Sequence, residues 1–326
     1  MAKSGRALIL GDIEGVVGVN DWRDIIGGTA GYLAACRNYA ADVNATVAGL
    51  RQGGATEVLV VDTHAAGTNL SDGDIVGAEL IGGPSILGRI EQAIARGVDA
   101  LGLVGFHAAA GTHDSFVPHS FNPQTRSWLN GLVAGEPPFY ALLLGANEVP
   151  TILISGDQRT IEQLEPFAPE VRGVETKEAV SPFVARSFDP VATRAALTAG
   201  AAEAYRGRDA FAPSRLPDPI ELTVEARHEV GARLIATIPG MAPGEGRRAV
   251  FSGSWPDVWR AFITANSLAA LSATAGGSWY FGSIGGSLIE RLATAAGDRA
   301  WQAQAPFYAD QFSPPWGLPC PPEAMP

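Results

Sequence analysis

Leu8-Ile9-Leu10-Gly11-Asp12-Ile13-Glu14-Gly15 is the stretch that decides the fold: an apolar run ends in two carboxylates one residue apart. The run predicts a buried strand over residues 7–13. Because side chains alternate along a strand, Asp12 and Glu14 are expected to project to the same side. Two carboxylates about 4 Å apart repel by roughly 4 kcal/mol at an effective dielectric near 20. A pair of this kind at the end of a buried strand requires a cation or a shared proton.

Two further apolar runs also end in residue types that bind metals. His64 follows a predicted strand at residues 57–61, and His107 follows one at residues 100–106. The carboxyl ends of parallel strands meet at one edge of a sheet, where ligands gather in folds of this class. The convergence of three such strand ends is the first indication of function.

Strand and helix patterns alternate through the first half of the chain, which is typical of an α/β fold with a largely parallel sheet and helices on both faces. The predicted strands are at 7–13, 57–61, 78–81, 100–106, 128–133 and 151–155, and the predicted helices at 31–52, 86–96 and 139–146. We assign residues 1–185 to a catalytic, metal-binding α/β domain.

The rest of the chain predicts a smaller α+β domain at residues 186–275 and a Gly/Pro/aromatic C-terminal extension at 276–326. The smaller domain has predicted helices at 190–205 and 255–271 and predicted strands at 220–225, 231–237 and 249–252. The extension carries aromatic residues near its end that we expect to dock on the body or on a neighbouring subunit, because exposed rings are a liability. They are Trp301, Phe307, Tyr308, Phe312 and Trp316.

Composition limits the classes of function. Apolar residues make up 46% of the 326 and charged residues 17%, which is typical of a globular protein. The net charge of −11 argues against nucleic acid or an anionic membrane as the partner. The sequence contains no apolar segment of signal-peptide or membrane-span type, and its two cysteines provide no disulfide framework. A cytoplasmic protein is the simplest expectation.

Four of the five histidines, His64, His107, His113 and His119, fall within 56 residues. One such histidine alone is more often a hydrogen-bonded loop residue than a ligand. Together with Asp12 and Glu14, they favour a site for Zn²⁺ or a similar divalent ion, which mixed imidazole and carboxylate ligands suit. Glu136 is also a candidate, although its local sequence is explained as well by a glutamate in the first turn of a helix.

The chain resembles the M55 D-aminopeptidases, the DppA-like zinc metallopeptidases, across roughly residues 6–275. The resemblance begins at Asp12-Ile13-Glu14-Gly15, which is similar to the family signature Ser-x-Asp-x-Glu-Gly with Leu10 in the first position. It continues through several ordered motifs, namely Asp62-Thr63-His64, Gly105-Phe106-His107-Ala108, Pro118-His119-Ser120, Asn130-Gly131 with Gly135-Glu136, residues 152–157, and Ala236-Thr237-Ile238-Pro239-Gly240.

The resemblance implies two zinc ions per subunit. Asp12 would bridge both ions, Glu14 and His107 would bind one, and His64 and Glu136 would bind the other. His119 would be the catalytic histidine, either as nucleophile or as acid–base partner of the attacking water. Related enzymes form rings, so the resemblance also implies a homo-oligomer. His113 and His228 match no ligand position.

Two departures from the family concern the substrate. The family usually has a Gly-Arg pair after the lysine that Lys177 matches, where this chain has Ser181-Pro182-Phe183. The loop at 18–32 and the C-terminal extension are additions that could reshape the mouth of the site.

Three hypotheses of function follow. The first is a metal-dependent hydrolase that cleaves amide bonds at a di-zinc centre, as an aminopeptidase on short peptides of D-amino acids. The second is an amidase acting on a small non-peptide amide. The third is a non-catalytic peptide-binding protein, against which the complete set of ligand positions counts.

Overall fold

The structure is a computed structural model and describes residues 5–274. The chain divides into two compact units. Of the described residues, the first unit comprises 5–107, 114–117 and 137–215, and the second comprises 108–113, 118–136 and 216–274. In the described part of the chain, no helix is both long and apolar enough to cross a membrane.

The first unit is built on a seven-stranded sheet with helices packed against it. Its strands are β1 (Arg6–Gly11), β2 (Glu57–Asp62), β3 (Glu79–Leu80), β4 (Ala100–Val104), β7 (Thr151–Asp157), β8 (Arg172–Ser181) and β9 (Val184–Ser187). Its helices are α1 (Tyr32–Gln52), α2 (Ile86–Ala95), α3 (Glu136–Gly145), α4 (Gln158–Leu164) and α5 (Pro190–Arg206). Short 3-10 helices, of which Trp22–Ile25 is one, lie between them.

The strand order is β3-β2-β1-β4-β7-β8-β9, and the pairs are parallel except for the final β8–β9 hairpin. Strands β1 and β4 are buried almost throughout, as expected for central parallel strands. The predicted α/β fold with a largely parallel sheet is confirmed.

Register places the carboxyl ends of three central strands side by side. Gly11, the last residue of β1, pairs with Asp62 of β2 on one side and with Val104 of β4 on the other. The prediction of a strand over residues 7–13 was therefore wrong at its end, since β1 stops at Gly11. Asp12 and Glu14 lie in the loop after the strand, so strand alternation does not explain why they lie close together.

Helices α1 and α5 pack closely because small residues line their contact. A Cβ on Gly49 of α1 would lie 2.2 Å from the carbonyl oxygen of Thr198 in α5. No larger residue fits there without moving the helices apart. Asp189 caps the start of α5 by accepting a hydrogen bond from the main-chain N–H of Ala192.

The second unit contains an antiparallel sheet of β5 (Thr125–Leu129), β6 (Leu132–Val133), β10 (Ile220–Ala226), β11 (Ala242–Pro243) and β12 (Arg248–Gly253), with helices α6 (Glu229–Ile235) and α7 (Trp255–Thr274). The order is β11-β12-β10-β5-β6. This mixture of strands and helices confirms the predicted α+β character.

Two predictions in this unit were wrong. The single strand predicted at 128–133 is the hairpin β5–β6, because Asn130 and Gly131 both have positive φ and form a tight turn. The strand predicted at 231–237 is mostly helix α6. Its buried residues Gly231 and Ile235 lie four apart, which is helical spacing.

The sequence patterns also missed α4, β8 and β9. Strand β8 carries charged residues along an irregular pattern of burial, so it lacks the apolar run that identified the central strands. The proposed domain limits at 185 and 275 stay predictions. The aromatic residues of the extension at 276–326 lie outside the described residues.

Candidate metal centre

The loop that follows β1 is pinned to the end of β4 by main-chain hydrogen bonds. The N–H of Asp12 donates to the carbonyl of Val104 at 2.8 Å, and the N–H of Gly15 donates to that of Gly105 at 2.7 Å. A Cβ on Gly15 would lie 2.0 Å from the carbonyl oxygen of Phe106, so only glycine fits. The glycine of the sequence motif is thus required for the loop to approach β4.

This loop brings four predicted ligands together in the first unit. Asp12 Oδ1 lies 3.1 Å from His64 Nδ1, and Asp12 Oδ2 lies 3.4 Å from His107 Nε2. Glu14 Oε1 lies 3.2 Å from the same His64 Nδ1. The two oxygens of Asp12 therefore face two different imidazoles, and all four side chains are buried.

His64 is oriented by a group that no sequence pattern indicated. Its Nε2 lies 3.1 Å from the main-chain carbonyl oxygen of Ile25, at the end of the 3-10 helix Trp22–Ile25. A carbonyl oxygen only accepts, so this contact assigns the proton to Nε2. Nδ1 faces the carboxylates of Asp12 and Glu14, to which it donates when the ring is charged, and a cation bound between these groups would take its lone pair. Partners of this kind commonly orient the histidine ligands of metals.

Asp62 organises the main chain around His64. Its carboxylate accepts hydrogen bonds from the N–H groups of His64 at 3.2 Å, Asn69 at 2.6 Å and Leu70 at 3.2 Å. Tyr39 Oη donates to the same carboxylate at 3.3 Å. Asp62 ends β2 and belonged to the predicted Asp-Thr-His motif, but its role in holding the loop was visible only in the structure.

Burial and proximity shift the pKa values of the cluster. For Asp12, burial raises the pKa, but hydrogen bonds with His107 and His64 outweigh it and hold the pKa well below its usual range. Burial and the neighbouring charge of Asp12 raise the pKa of Glu14. Burial lowers the pKa of His64, but Glu14 and Asp12 outweigh this and raise it well above its ordinary value. The two carboxylates therefore favour positive charge on the imidazole that they face.

The residues fit a divalent cation of the zinc type. Asp12, Glu14 and His64 each offer a ligand atom, and these atoms lie within 4.8 Å of one another. Two carboxylates and an imidazole withdrawn from water are costly unless a cation compensates them. Oxygen and imidazole nitrogen are ligands that Zn²⁺ accepts.

The remaining predicted site residues, His119 and Glu136, belong to the second unit. The N–H of His119 donates to the carbonyl of Ala108 at 3.1 Å, and its side chain is half-buried. Glu136 is buried at the start of α3, and its Oε1 accepts from the N–H of Phe121 at 2.8 Å. Their roles at a metal centre stay predictions. His113 and His228 are exposed.

Comparison with known proteins identifies the family. The family model Peptidase_M55, described as D-aminopeptidase, matches residues 6–264. The chain belongs to the M55 D-aminopeptidase family. The family assignment made from the sequence motifs is thereby confirmed.

Two relatives illustrate the M55 likeness. A D-aminopeptidase of Bacillus subtilis (strain 168) is 26% identical over 231 residues, which are 70% of this chain and 84% of the relative. A solved structure described as the Zn-dependent D-aminopeptidase DppA from Bacillus subtilis, a self-compartmentalizing protease, superposes with a TM-score of 0.73 at 24% identity. The superposition covers 81% of this chain and 98% of that structure. This second likeness supports the fold.

Proposed function

We propose that this M55 protein is a zinc-dependent aminopeptidase that removes the N-terminal residue from short peptides, with a preference for D-amino acids. The observation that carries the proposal is the buried cluster in which the two oxygens of Asp12 face His64 and His107. The zinc dependence named for the structural relative supports the choice of metal.

Five residues would hold two zinc ions per subunit. Asp12 would be shared by both ions, Glu14 and His107 would complete one, and His64 and Glu136 the other. The position of His64 Nδ1 beside Asp12 supports its role as a ligand through that nitrogen. Its equal closeness to Glu14 favours Glu14 and His64 on one ion, a different division of the ligands from the one that the family likeness implies. The assignment of Glu136 rests on the family motifs at Gly135-Glu136.

The metals would supply Lewis acidity, polarising the scissile carbonyl and lowering the pKa of water. Asp62 and the Ile25 carbonyl would keep His64 in one orientation through the reaction. His119 would move a proton or stabilise charge in the transition state rather than bind metal. A role for His119 as nucleophile is the other possibility that the family likeness offers.

One observation favours an amidase as the second candidate. The family usually carries an arginine in the region where this chain has Phe183, whose side chain is fully buried and packs edge-on against Trp22 with ring centroids 6.1 Å apart. A buried aromatic ring cannot pair with the carboxylate of a peptide substrate. An uncharged small amide would not need that pairing.

We also propose an assembly, a location and a set of partners for the protein. The name of the structural relative includes self-compartmentalization, which supports a homo-oligomeric ring for this chain. We further propose a cytoplasmic location and a partner set limited to short peptides or small amides, without nucleic acid or membrane. Light scattering of the purified protein tests the assembly, and a monomeric particle would contradict it.

Metal analysis combined with a substrate panel tests the function. The full-length protein is assayed with dipeptides beginning in D-Ala, with the matching L-peptides, and with simple alkyl and aryl amides. We expect two zinc ions per subunit and fastest turnover of the D-peptides. Faster turnover of the amides would favour the amidase. Active protein that contains no metal and ignores chelators would overturn both.

A further inference from the structure

Lysine is almost absent from this chain, and one of its two lysines is fully buried. The sequence contains Lys3 and Lys177 against 21 arginines. Lys177 lies on β8 with only 1% of its surface exposed. Lysine is rarely buried to this degree without a specific partner. In a chain that otherwise uses arginine, this position calls for an explanation.

The Lys177 amine donates to two main-chain carbonyls of the loop that follows β1. Nζ donates to the carbonyl of Glu14 and, at 2.6 Å, to that of Val19. It also lies 4.7 Å from the centre of the Phe116 ring, on which it packs. One small donor group therefore joins both ends of the segment 14–19.

The shape of this loop requires such a donor. A buried carbonyl without a hydrogen bond costs about 1–3 kcal/mol, and Lys177 Nζ supplies the hydrogen bond to both of these. A compact amine at the end of a flexible stem can reach two carbonyls at once. The wider, planar guanidinium of arginine has a different hydrogen-bonding geometry.

The rest of the loop is held by other groups. Thr176, the neighbour of Lys177, donates to the carbonyl of Gly15. The N–H of Val17 donates to Asp42 at 2.8 Å. Lys177 differs from these two because it bonds the carbonyl of Glu14 itself, the residue whose carboxylate faces His64.

We propose that Lys177 is a positioning residue of the metal centre, holding the Glu14 main chain so that its carboxylate stays beside Asp12 and His64. The inference rests on the proposed function, because it assigns Glu14 as a ligand. It concerns how that ligand is oriented, which the metal assignment leaves open.

Zinc affinity of the Lys177→Met protein tests the proposal. Methionine keeps the length and apolar stem but removes the donors. Zinc affinity is measured on full-length protein by competition with a chromophoric chelator, at a temperature where the apo protein is folded. We expect an affinity about 10–100-fold weaker, the range typical of lost outer-shell partners. The matched control is Val47→Ala, a buried change in α1 that lowers stability without touching the loop, and it should leave zinc affinity unchanged.

A second measurement needs no change at Lys177. In the Lys3→Arg protein, Lys177 is the single lysine, so ¹⁵Nζ-lysine labelling gives one side-chain amine signal, which solid-state NMR records whatever the particle size. We expect zinc to shift this signal, and Glu14→Gln to abolish the shift.

The outcomes separate the two proposals. Wild-type protein that binds zinc, with unchanged affinity in Lys177→Met or an amine signal that ignores zinc, would overturn the role of Lys177 and leave the metal centre standing. Wild-type protein that binds no zinc would overturn both.

Discussion

The amino ends and the carboxyl ends of strands β1, β2 and β3 both carry charged residues, but these residues differ in exposure and in their partners. At the amino ends, Arg6 of β1 donates to Glu57 of β2 at 2.7 Å, and Arg96 donates to Glu79 of β3 at 2.7 Å. These side chains are 22–56% exposed. Each carboxylate there faces an arginine, and water screens both.

At the carboxyl ends, the charges are buried and the facing cations are imidazoles. Asp12 and Glu14 are 2% and 1% exposed and meet His64. Exposed ion pairs contribute about 0–1 kcal/mol, whereas a buried anion without full compensation costs several. The comparison teaches that exposed arginines pair with the carboxylates at the amino edge, while the carboxyl edge holds buried acidic groups of the kind that the proposed metal centre requires.

The change with the largest expected effect is Asp12→Ala. We expect the protein to lose both metals and its activity to fall at least about 10³-fold, because several kcal/mol of transition-state stabilisation depend on the ions. Elemental analysis and initial rates measure this. Two zinc ions retained per subunit would contradict the assignment of Asp12.

His119→Ala should separate binding from chemistry. We expect both metals to stay bound while turnover falls by about 10²–10⁴, the usual contribution of a positioned acid–base group. The matched control is His113→Ala, an exposed histidine from the same stretch, which should keep wild-type rates. Full activity in His119→Ala would remove the residue from the mechanism.

Asp42 sharpens the comparison, because it is a buried carboxylate with an arginine partner. It accepts from Val17 N–H and from Arg194 Nε at 2.9 Å, yet burial raises its pKa to about 6. The folded protein then binds the proton more tightly than the unfolded chain. Stability from this group is present below about pH 4 and lost as the pH rises through 6, by up to about 3 kcal/mol.

Urea unfolding of metal-free protein at pH 4.5 and 6.5, in wild type and Asp42→Asn, measures that loss. In Asp42→Asn, the free energy of unfolding should fall less between these two pH values, because the part of the fall that comes from Asp42 is absent. An identical pH dependence in the two proteins would show that Asp42 does not titrate in this window.

Removing zinc should lower the stability of the protein, because the proposed metal centre at the carboxyl ends of the strands would lose its ions. With zinc at 100 times its Kd, we expect chelation to lower the free energy of unfolding by about 2.7 kcal/mol. Thermal unfolding with and without chelator measures this, and Asp12→Ala provides the control that should not respond. A wild-type transition that ignores the chelator would argue against a metal bound at this edge.

The smallest effect is expected at the amino edge. Arg96→Ala removes the partner of Glu57 and Glu79, but these groups are exposed, so stability should change by less than about 1 kcal/mol. Zinc content and turnover should stay at wild-type values. A loss of metal in this variant would break the distinction between the two edges.

The parts of the site that could be predicted are those that follow directly on apolar runs. Asp12, His64 and His107 each come just after a buried strand, and parallel strands deliver such residues to one edge. The carbonyl of Ile25 could not be predicted, because every residue has one and its direction depends on the 3-10 helix that carries it. Lys177 had a sequence signal in the scarcity of lysine, but its partners are main-chain atoms.

Prediction of the secondary structure also failed where tertiary contacts decide the element. Long apolar strands were identified, whereas β8, with its charges, was missed and α6 was mistaken for a strand. In both, contacts with neighbouring elements outweigh local preference.

The sequence by itself determined the family, the α/β class and the types of ligand, because strand periodicity and residue chemistry are local properties. Only the tertiary structure decided that β1 ends at Gly11, that Asp12 turns one oxygen towards each of two histidines, and that Lys177 donates to the loop that follows β1. Those features depend on contacts between residues up to 163 positions apart, which no local pattern encodes.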